Sequence, residues 1–139
     1  MTDFVRLSDS DLAEFAEAHR DEMDAPGLAG SDLLEALATG IAVIERRSYG
    51  FAVLRLQRSP EGKVIPFLWL LYVDHSQRGR GKGRGFVREL LKTYSRDYHM
   101  SLHCSGPARR RFFGRLGFVV EDRQGDVRHM TTNTEHYRY

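Results

Sequence analysis

The chain has 139 residues, of which 41% are hydrophobic and 29% charged, and this composition is typical of one globular domain spanning residues 1–139. Its longest apolar stretch, residues 65–73, is far too short to span a membrane, and the first residues lack the basic start and apolar block of a signal peptide. The single cysteine, Cys104, excludes an internal disulfide and favours a reducing compartment, so we expect a cytoplasmic protein.

Charge is distributed unevenly along the chain, although the formal net charge is only +2. Residues 1–77 contain 7 basic and 13 acidic residues, whereas residues 78–115 contain 11 basic and 2 acidic ones. Residues 116–139 contain 3 basic and 4 acidic residues. A basic middle region suits a ligand with several phosphates, and the same field attracts nucleic acid.

Hydrophobic periodicity and turn residues predict an alternation of helices and strands. The predicted strands span residues 3–7, 41–46, 50–57, 64–73, 98–104, 118–121 and 127–132. The first predicted helix is capped by Ser8 or Ser10 and runs to about residue 22, and the others span residues 31–40, 86–94 and 108–116. A loop rich in breakers, residues 21–30, separates the first two helices. The pattern indicates a mixed sheet flanked by helices.

Three glycines alternate with basic residues where the predicted strand 64–73 meets the following helix. The run is Arg78-Gly79-Arg80-Gly81-Lys82-Gly83. A helix start leaves backbone N–H groups without partners and carries partial positive charge, and glycines let the backbone approach a ligand closely. The run therefore predicts an anion cradle for a phosphate or pyrophosphate.

The spacing of the glycines excludes two common phosphate-binding loops. A P-loop needs a Ser or Thr after Gly-Lys, but Gly83 follows Lys82. A dinucleotide fingerprint needs Gly-x-Gly-x-x-Gly, and Gly83 comes one position too early after Gly79 and Gly81. A solvated basic loop, or an RGG-like stretch that touches RNA, remains as an alternative.

The same run matches Arg/Gln-x-x-Gly-x-Gly/Ala, the acyl-CoA pyrophosphate motif of the GNAT superfamily of N-acetyltransferases. Residues 70–74 resemble the end of that family's fourth strand. Residues 112–118, Phe-Phe-Gly-Arg-Leu-Gly-Phe, resemble its late Phe-Tyr-x-x-x-Gly-Phe element. The two motifs stand in the family's order and cover roughly residues 64–120. The order of the predicted elements extends the resemblance to nearly the whole chain.

This resemblance implies an α/β (α+β) fold with a mixed, mostly antiparallel sheet of about six or seven strands and about four helices. In the family the fourth and fifth strands splay apart around the acyl-CoA cleft. The pantetheine arm would then hydrogen-bond the main chain at Leu71 and Val73, and the N–H groups of residues 78–83 would hold the pyrophosphate. Basic side chains would add contacts to the phosphates; they are Arg78, Arg80, Lys82, Arg84 and Arg109.

The implied reaction is direct transfer of an acetyl group from acetyl-CoA to a primary amine, on a small molecule or a protein. The sequence departs from the family at two chemical positions. Phe113 stands where the family has a tyrosine as general acid, and residues 64–73 contain no carboxylate base. The asparagine often found after the fifth strand is also missing, since Ser105-Gly106 occupies that region.

Candidate replacements for the missing acid and base lie near the expected cleft. His103, at the end of the predicted fifth strand, has a side chain suited to proton transfer near neutral pH. Tyr72 is a further candidate in the adjacent fourth strand, with packing against a helix as the alternative for its side chain. Cys104 and Ser105 could hydrogen-bond the leaving sulfur. Cys104 lacks a clear base and orienting partner for a role as nucleophile, and a water chain can serve as base instead.

A metal site is not expected. On a strand, His99 and His103 share a face but lie roughly 13 Å apart, too far to bind one ion. His129 and His136 have no ligand spacing with them.

Three functions remain open from the sequence. They are an active N-acetyltransferase, a non-catalytic acyl-CoA-binding or regulatory domain of the same fold, and a nucleic-acid-binding domain that uses residues 78–115. We favour CoA over nucleic acid because the glycine motif adds geometry that charge alone lacks.

The acidic stretch 14–24 favours a cationic acceptor if it lies at the acceptor mouth, and the aromatic tail 137–139 belongs to the region that sets acceptor specificity in the family. Exposed sheet edges allow a homodimer.

Overall fold

A computed structural model describes residues 2–132, in which the chain forms four α-helices and six strands. The helices are α1 (Asp9–Ala18), α2 (Gly30–Ala38), α3 (Lys82–Tyr94) and α4 (Pro107–Gly114). The strands are β1 (Ala42–Arg47), β2 (Gly50–Arg58), β3 (Val64–Val73), β4 (Ser101–Ser105), β5 (Val119–Gln124) and β6 (Val127–Thr131). Two 3₁₀ helices, Phe4–Arg6 and His75–Gln77, complete the regular structure.

The strands form one mixed sheet in the order β1-β2-β3-β4-β6-β5. β1 pairs antiparallel with β2, and β6 pairs antiparallel with both β4 and β5. β3 and β4 run parallel, with Phe67 opposite Ser101 and Leu68 opposite Leu102. A mixed, mostly antiparallel sheet with four helices confirms the predicted fold class.

The chain comprises two compact units, and the first contains residues up to Arg55 together with residues 69–83. Its core is a set of apolar side chains from α1, α2, β1, β2 and the end of β3. Aromatic rings dominate this core: Phe4 contacts Phe15 and Phe51, and Tyr72 contacts all three at centroid distances of 4.9–6.0 Å. Such edge and offset contacts hold the end of β3 firmly in place.

The second unit contains residues 56–68 and the described residues from 84 onward. Buried side chains come from alternate positions of β4 and from one face of α3, as amphipathic patterns predict. Leu102 and Cys104 are buried, whereas His103 between them is exposed. The side chain of His103 therefore lies on the face of β4 opposite to Leu102 and Cys104.

The predicted strand at residues 3–7 is wrong, because Phe4–Arg6 forms a 3₁₀ helix. The Asp3 side chain accepts a hydrogen bond from the Val5 N–H at 3.1 Å, which closes a turn that competes with an extended chain. Phe4 is fully buried in the aromatic core. The alternation of apolar residues thus reflected one buried ring rather than a sheet face.

Candidate active site

The glycine-rich run forms a tight turn between β3 and α3. Within it, the Gln77 N–H donates to the Asp74 carbonyl at 2.9 Å and the Arg78 N–H to the His75 carbonyl at 3.3 Å. Gly79 and Gly81 then both have φ of +76°, a conformation that L side chains rarely adopt. Glycine at these two positions is what lets the chain turn directly into α3.

The backbone of this turn fits an anion. Within residues 2–132, the N–H groups of Gly79 and Gly81 donate no hydrogen bond. A Cβ built on Gly79 or Gly81 would have no heavy atom within 4 Å, so the space beside both is open. Unpartnered N–H groups at a helix start carry partial positive charge, and a phosphate or pyrophosphate satisfies them.

The first basic residue of the run braces the turn. Arg78 donates from Nε to the Val73 carbonyl at 2.8 Å, and its two terminal nitrogens lie 3.2 Å from Nδ1 of His75 and 3.4 Å from Oε2 of Glu22. Its guanidinium carbon also lies 5.4 Å from the centroid of the Tyr72 ring. Arg78 was predicted to contact phosphate; this geometry shows that it also ties the turn to β3 and to the segment after α1.

Glu22 is the acidic partner in this brace. Its Oε2 lies 3.1 Å from Nε2 of His75 as well as 3.4 Å from Arg78. Partial desolvation raises the pKa of Glu22, but the hydrogen bond and positive charge of His75, with the hydrogen bond of Arg78, outweigh it and lower the pKa. Another acid of the same stretch, Glu17, accepts the Gly30 N–H at 3.0 Å. Part of the acidic stretch 14–24 therefore stabilises the first unit.

The other predicted phosphate contacts have different surroundings. Lys82 lies with Nζ 5.4 Å from the centroid of the Tyr49 ring. Arg80 and Arg84 are exposed beside the glycines. Arg109 is half-buried in α4, in the second unit. All four stay predictions as cofactor contacts.

The end of β3 carries the main chain predicted to bind the pantetheine arm. Leu71 and Val73 are both half-buried, and the Val73 carbonyl accepts the hydrogen bond from Arg78. One residue later, the Asp74 N–H donates to the Tyr49 carbonyl at 2.7 Å. A carbonyl has two lone pairs, so the Val73 oxygen retains acceptor capacity for a ligand.

Tyr72 lies between these two positions, in the aromatic core of the first unit. It is 4% exposed, and its ring packs against Phe4, Phe15 and Phe51. Burial, followed by the negative charge of Glu22, raises the pKa of its phenol. A raised pKa makes the phenol a weaker acid than an ordinary tyrosine side chain, which opposes proton donation; the role itself stays a prediction.

His103 belongs to a row of rings in the second unit. It stands directly opposite His129 in the β4–β6 register, with ring centroids 5.1 Å apart, and the Phe67 ring lies 5.1 Å away on its other side. His129 in turn lies with Nδ1 3.6 Å from Oε2 of Glu121. A cavity of about 130 Å³ opens beside the two histidines and is lined by His103, His129, Asp122, Arg123, Gln124 and Val127.

The histidine pair has an electrostatic consequence. Desolvation lowers the pKa of His103, and the nearby charge of His129 lowers it further. His103 is therefore mostly neutral at pH 7 and can accept a proton through an imidazole nitrogen.

The remaining predicted donors lie at the end of the same strand. Ser105 is the last residue of β4 and is half-buried, just before the turn at Gly106, whose φ is +85°. Cys104 is buried, and its Sγ lies 3.5 Å from Sδ of Met130. The orientation of Cys104 into the interior makes it a packing residue.

Phe113 occupies a packing position too. It is 8% exposed and contacts the rings of Phe112 and Phe118 at 5.0 and 5.5 Å. Within the described chain, no group of three or more His, Cys, Asp or Glu side chains could hold a metal ion.

Two features of the site escaped the sequence interpretation. The sequence places Glu22 only in the acidic stretch 14–24, and it offers His129 only as a candidate metal ligand. Glu22 lies 56 residues before Arg78, and 26 residues separate His103 from His129. Only the fold brings these pairs together, and no local pattern marks them.

The whole arrangement is the fold of the GNAT acetyltransferases, which confirms the predicted resemblance. An acetyltransferase from Thermus thermophilus superposes with a TM-score of 0.67 at 18% identity, over 94% of this chain and 96% of that one. Arabidopsis thaliana Naa50, in complex with the bisubstrate analogue CoA-Ac-MVNAL, superposes with a TM-score of 0.66 at 16% identity, over 90% of this chain and 93% of that one. A Trypanosoma brucei acetyltransferase superposes with a TM-score of 0.56 at 25% identity, over 85% of this chain and 92% of that one.

The likeness is one of structure rather than of sequence. No protein-family model and no curated protein matches the chain. None of the helices in residues 2–132 is long and apolar enough to cross a membrane.

Proposed function

We propose that this protein is an N-acetyltransferase that moves the acetyl group of acetyl-CoA directly to an amine. The observation that carries the proposal is the turn at residues 78–83, where Gly79 and Gly81 have φ of +76° and their N–H groups donate no hydrogen bond within residues 2–132. The GNAT fold supports acyl transfer in general, and Naa50 of that fold forms a complex with an analogue that contains CoA.

The chain's own residues divide the binding of acetyl-CoA between them. The N–H groups of residues 79–83 hold the pyrophosphate, and the exposed guanidinium groups of Arg80 and Arg84 add charge-assisted hydrogen bonds, with Lys82 and Arg109 as further contacts. The main chain at Leu71 and Val73 binds the pantetheine arm as an added strand. Arg78 keeps the turn in the geometry that the pyrophosphate requires.

In the reaction, the amine nitrogen attacks the thioester carbonyl carbon. A C–N bond forms and the C–S bond breaks, so the acetyl group passes to the amine and CoA leaves as a thiolate. The amine loses one proton and the thiolate gains one, which balances the reaction without any further reactant. Positioning of the two substrates supplies much of the rate enhancement.

We assign the proton transfers to the candidates that the sequence singled out. His103 accepts the proton of the attacking amine, because desolvation and His129 lower its pKa and keep the imidazole neutral. Ser105, which is half-buried at the end of β4, donates a proton to the departing thiolate, and Tyr72 is the weaker candidate because its phenol is buried and its pKa is raised. Cys104 does not carry the acetyl group, because its buried thiol faces Met130.

A non-catalytic acyl-CoA-binding domain is the second candidate function. The observation in its favour is Phe113, which replaces the tyrosine acid of the family and is buried against Phe112 and Phe118. Residues 64–73 also lack a carboxylate. Such a domain would bind acetyl-CoA as tightly as an enzyme but would release no thiol when an amine is added.

An acetyl-transfer assay over a panel of amines separates the two functions. Free thiol release and the mass of the acetylated product are measured for polyamines, amino acids and peptides. We expect amine-dependent turnover with intersecting initial-velocity lines, a kcat at least tenfold lower in His103→Gln, and little change in His99→Gln. Binding of acetyl-CoA without turnover of any amine would favour the second function, and nucleic-acid binding without CoA affinity would reject both.

Further properties follow from the same proposal. A single cysteine favours the cytoplasm as the compartment, and we expect residues 1–139 to act as one domain. β5 is the last strand in the sheet order and is exposed along its length, so its edge allows a homodimer.

A further inference from the structure

An arginine stacked on the single tryptophan forms a second feature of the first unit. Arg55 of β2 lies with its guanidinium carbon 3.8 Å from the centroid of the Trp69 ring of β3. Within residues 2–132, the Arg55 side chain makes no hydrogen bond or ion pair. A guanidinium stacked on an indole keeps its five N–H donors in its own plane, so the stack fixes Arg55 while leaving its hydrogen-bonding edge available.

The stacked pair forms one wall of a cavity of about 250 Å³. The other walls are residues 25–28, in the loop between α1 and α2, and Asp32 in the first turn of α2. Arg55 and Asp32 line the same cavity but do not form an ion pair with each other. Arg55 can therefore seat a carboxylate in a bidentate manner, while Asp32 can accept an N–H from the same ligand.

The position of Trp69 along β3 connects this cavity to the proposed function. Trp69 lies two residues before Leu71 and four before Val73, whose main chain is proposed to bind the pantetheine arm. The pyrophosphate turn follows Val73, so an arm that runs back along β3 extends toward Trp69, about 13 Å from Val73 by the rise per residue. The cavity beside Trp69 therefore lies on the strand along which the thioester end of the arm is proposed to run.

We propose that Arg55, held by Trp69, selects acceptor amines that also carry one carboxylate. This inference rests on the proposed acetyl transfer and adds the chemical class of the acceptor. It departs from the cationic acceptor that the acidic stretch 14–24 suggested, because Glu17 and Glu22 of that stretch have partners within the first unit. Arg55 acts on acceptor binding, not on the reacting bonds.

Matched pairs of amines test the selection. Glycine, β-alanine and γ-aminobutyrate are compared with their primary amides, so that each pair differs only in the carboxylate. We expect at least one carboxylate member to be acetylated with a kcat/KM at least tenfold above its amide. Arg55→Gln should abolish that preference through KM with little change in kcat. Arg58→Gln, which removes an exposed arginine of the same strand, should retain it.

A binding measurement keeps the test independent of turnover. Trp69 is the only tryptophan, so its fluorescence reports directly on ligands in this cavity. A saturable fluorescence change with a carboxylate member, absent with its amide and absent in Arg55→Gln, supports the proposal. If acetyl-CoA still stabilises the protein but no carboxylate member changes Trp69 fluorescence, or if Arg55→Gln retains the preference, the selection by Arg55 is wrong while the proposed function stands.

Discussion

The Nε of Arg78 donates to the carbonyl of Val73 at 2.8 Å, which joins the first residue of the glycine motif to the last residue of β3. The same guanidinium reaches Glu22 and His75 with its terminal nitrogens. The motif arginine thus has a structural task in addition to its charge. It sets the angle at which β3 leads into the phosphate-binding turn.

Arg78→Lys should weaken acetyl-CoA binding about tenfold. A lysine ammonium cannot reproduce the planar fork that contacts Val73, His75 and Glu22 at once. Loss of one hydrogen bond to a charged group at a half-exposed site costs about 1.4 kcal/mol, a factor of ten in Kd. Isothermal titration with acetyl-CoA measures the change. Arg88→Lys, an exposed position on α3, is the control, and equal affinity in both variants would contradict the brace.

The Glu22 carboxylate should contribute to stability in a defined pH range. Its pKa in the folded protein lies below the ordinary value of 4.5, so its contribution is fully present above about pH 4.5 and is lost as the pH falls through the folded value. Denaturant unfolding of the protein and of Glu22→Gln between pH 3 and pH 7 measures this. The difference in the free energy of unfolding between the unaltered protein and Glu22→Gln should shrink as the pH falls. A difference that stays constant would mean that Glu22 does not act through its charge.

The acid limb of the pH–rate profile should report His103. Partial desolvation and then the charge of His129 hold the pKa of His103 below the ordinary value of 6.5, so kcat/KM should fall at a pH below 6.5. His129→Gln removes the repelling charge and should move the limb upward. The limb should still lie below pH 6.5, because partial desolvation of His103, the larger cause, remains. A limb that stays in place in His129→Gln would remove His103 as the proton acceptor.

Gly50→Ala should destabilise the fold strongly. A Cβ at position 50 would lie 2.0 Å from the Tyr72 carbonyl oxygen, so β2 and the end of β3 would have to separate. Overpacking of this kind costs typically about 1–3 kcal/mol. Gly114→Ala is the matched control, because its Cβ meets no heavy atom within 4 Å at the end of α4. The denaturant midpoint should therefore fall in Gly50→Ala and change little in Gly114→Ala.

Local patterns predicted most of the elements. The strand expected at residues 64–73 agrees with β3 at both ends, because a continuous apolar run between a turn and a glycine-rich segment has well-marked limits. The strand expected from residue 98 begins only at Ser101, since Ser95 donates from Oγ to the Tyr98 carbonyl at 2.7 Å and holds a turn. The tail 137–139 and His136 lie outside the described residues.

The features of the candidate site likewise differ in whether local sequence predicts them. The glycine turn was predictable because its chemistry depends on consecutive residues and on the start of one helix. The Glu22–Arg78 brace, the His103–His129 pair and the Arg55–Trp69 stack each join separate elements. Their formation depends on strand register and on the path of the loop after α1, which hydrophobic periodicity does not encode.

Thermal unfolding with and without acetyl-CoA, with ATP as a comparison ligand, tests the central claim most directly. Gly81→Trp and Gly62→Trp place the same side chain at two glycines of similar conformation, with φ of +76° and +83°, and both positions open to space. At about 100 times its Kd, acetyl-CoA should stabilise the protein and Gly62→Trp by about 2.7 kcal/mol, and should fail to stabilise Gly81→Trp. Equal shifts in the two variants, or no shift in the unaltered protein, would contradict acyl-CoA binding at the glycine turn.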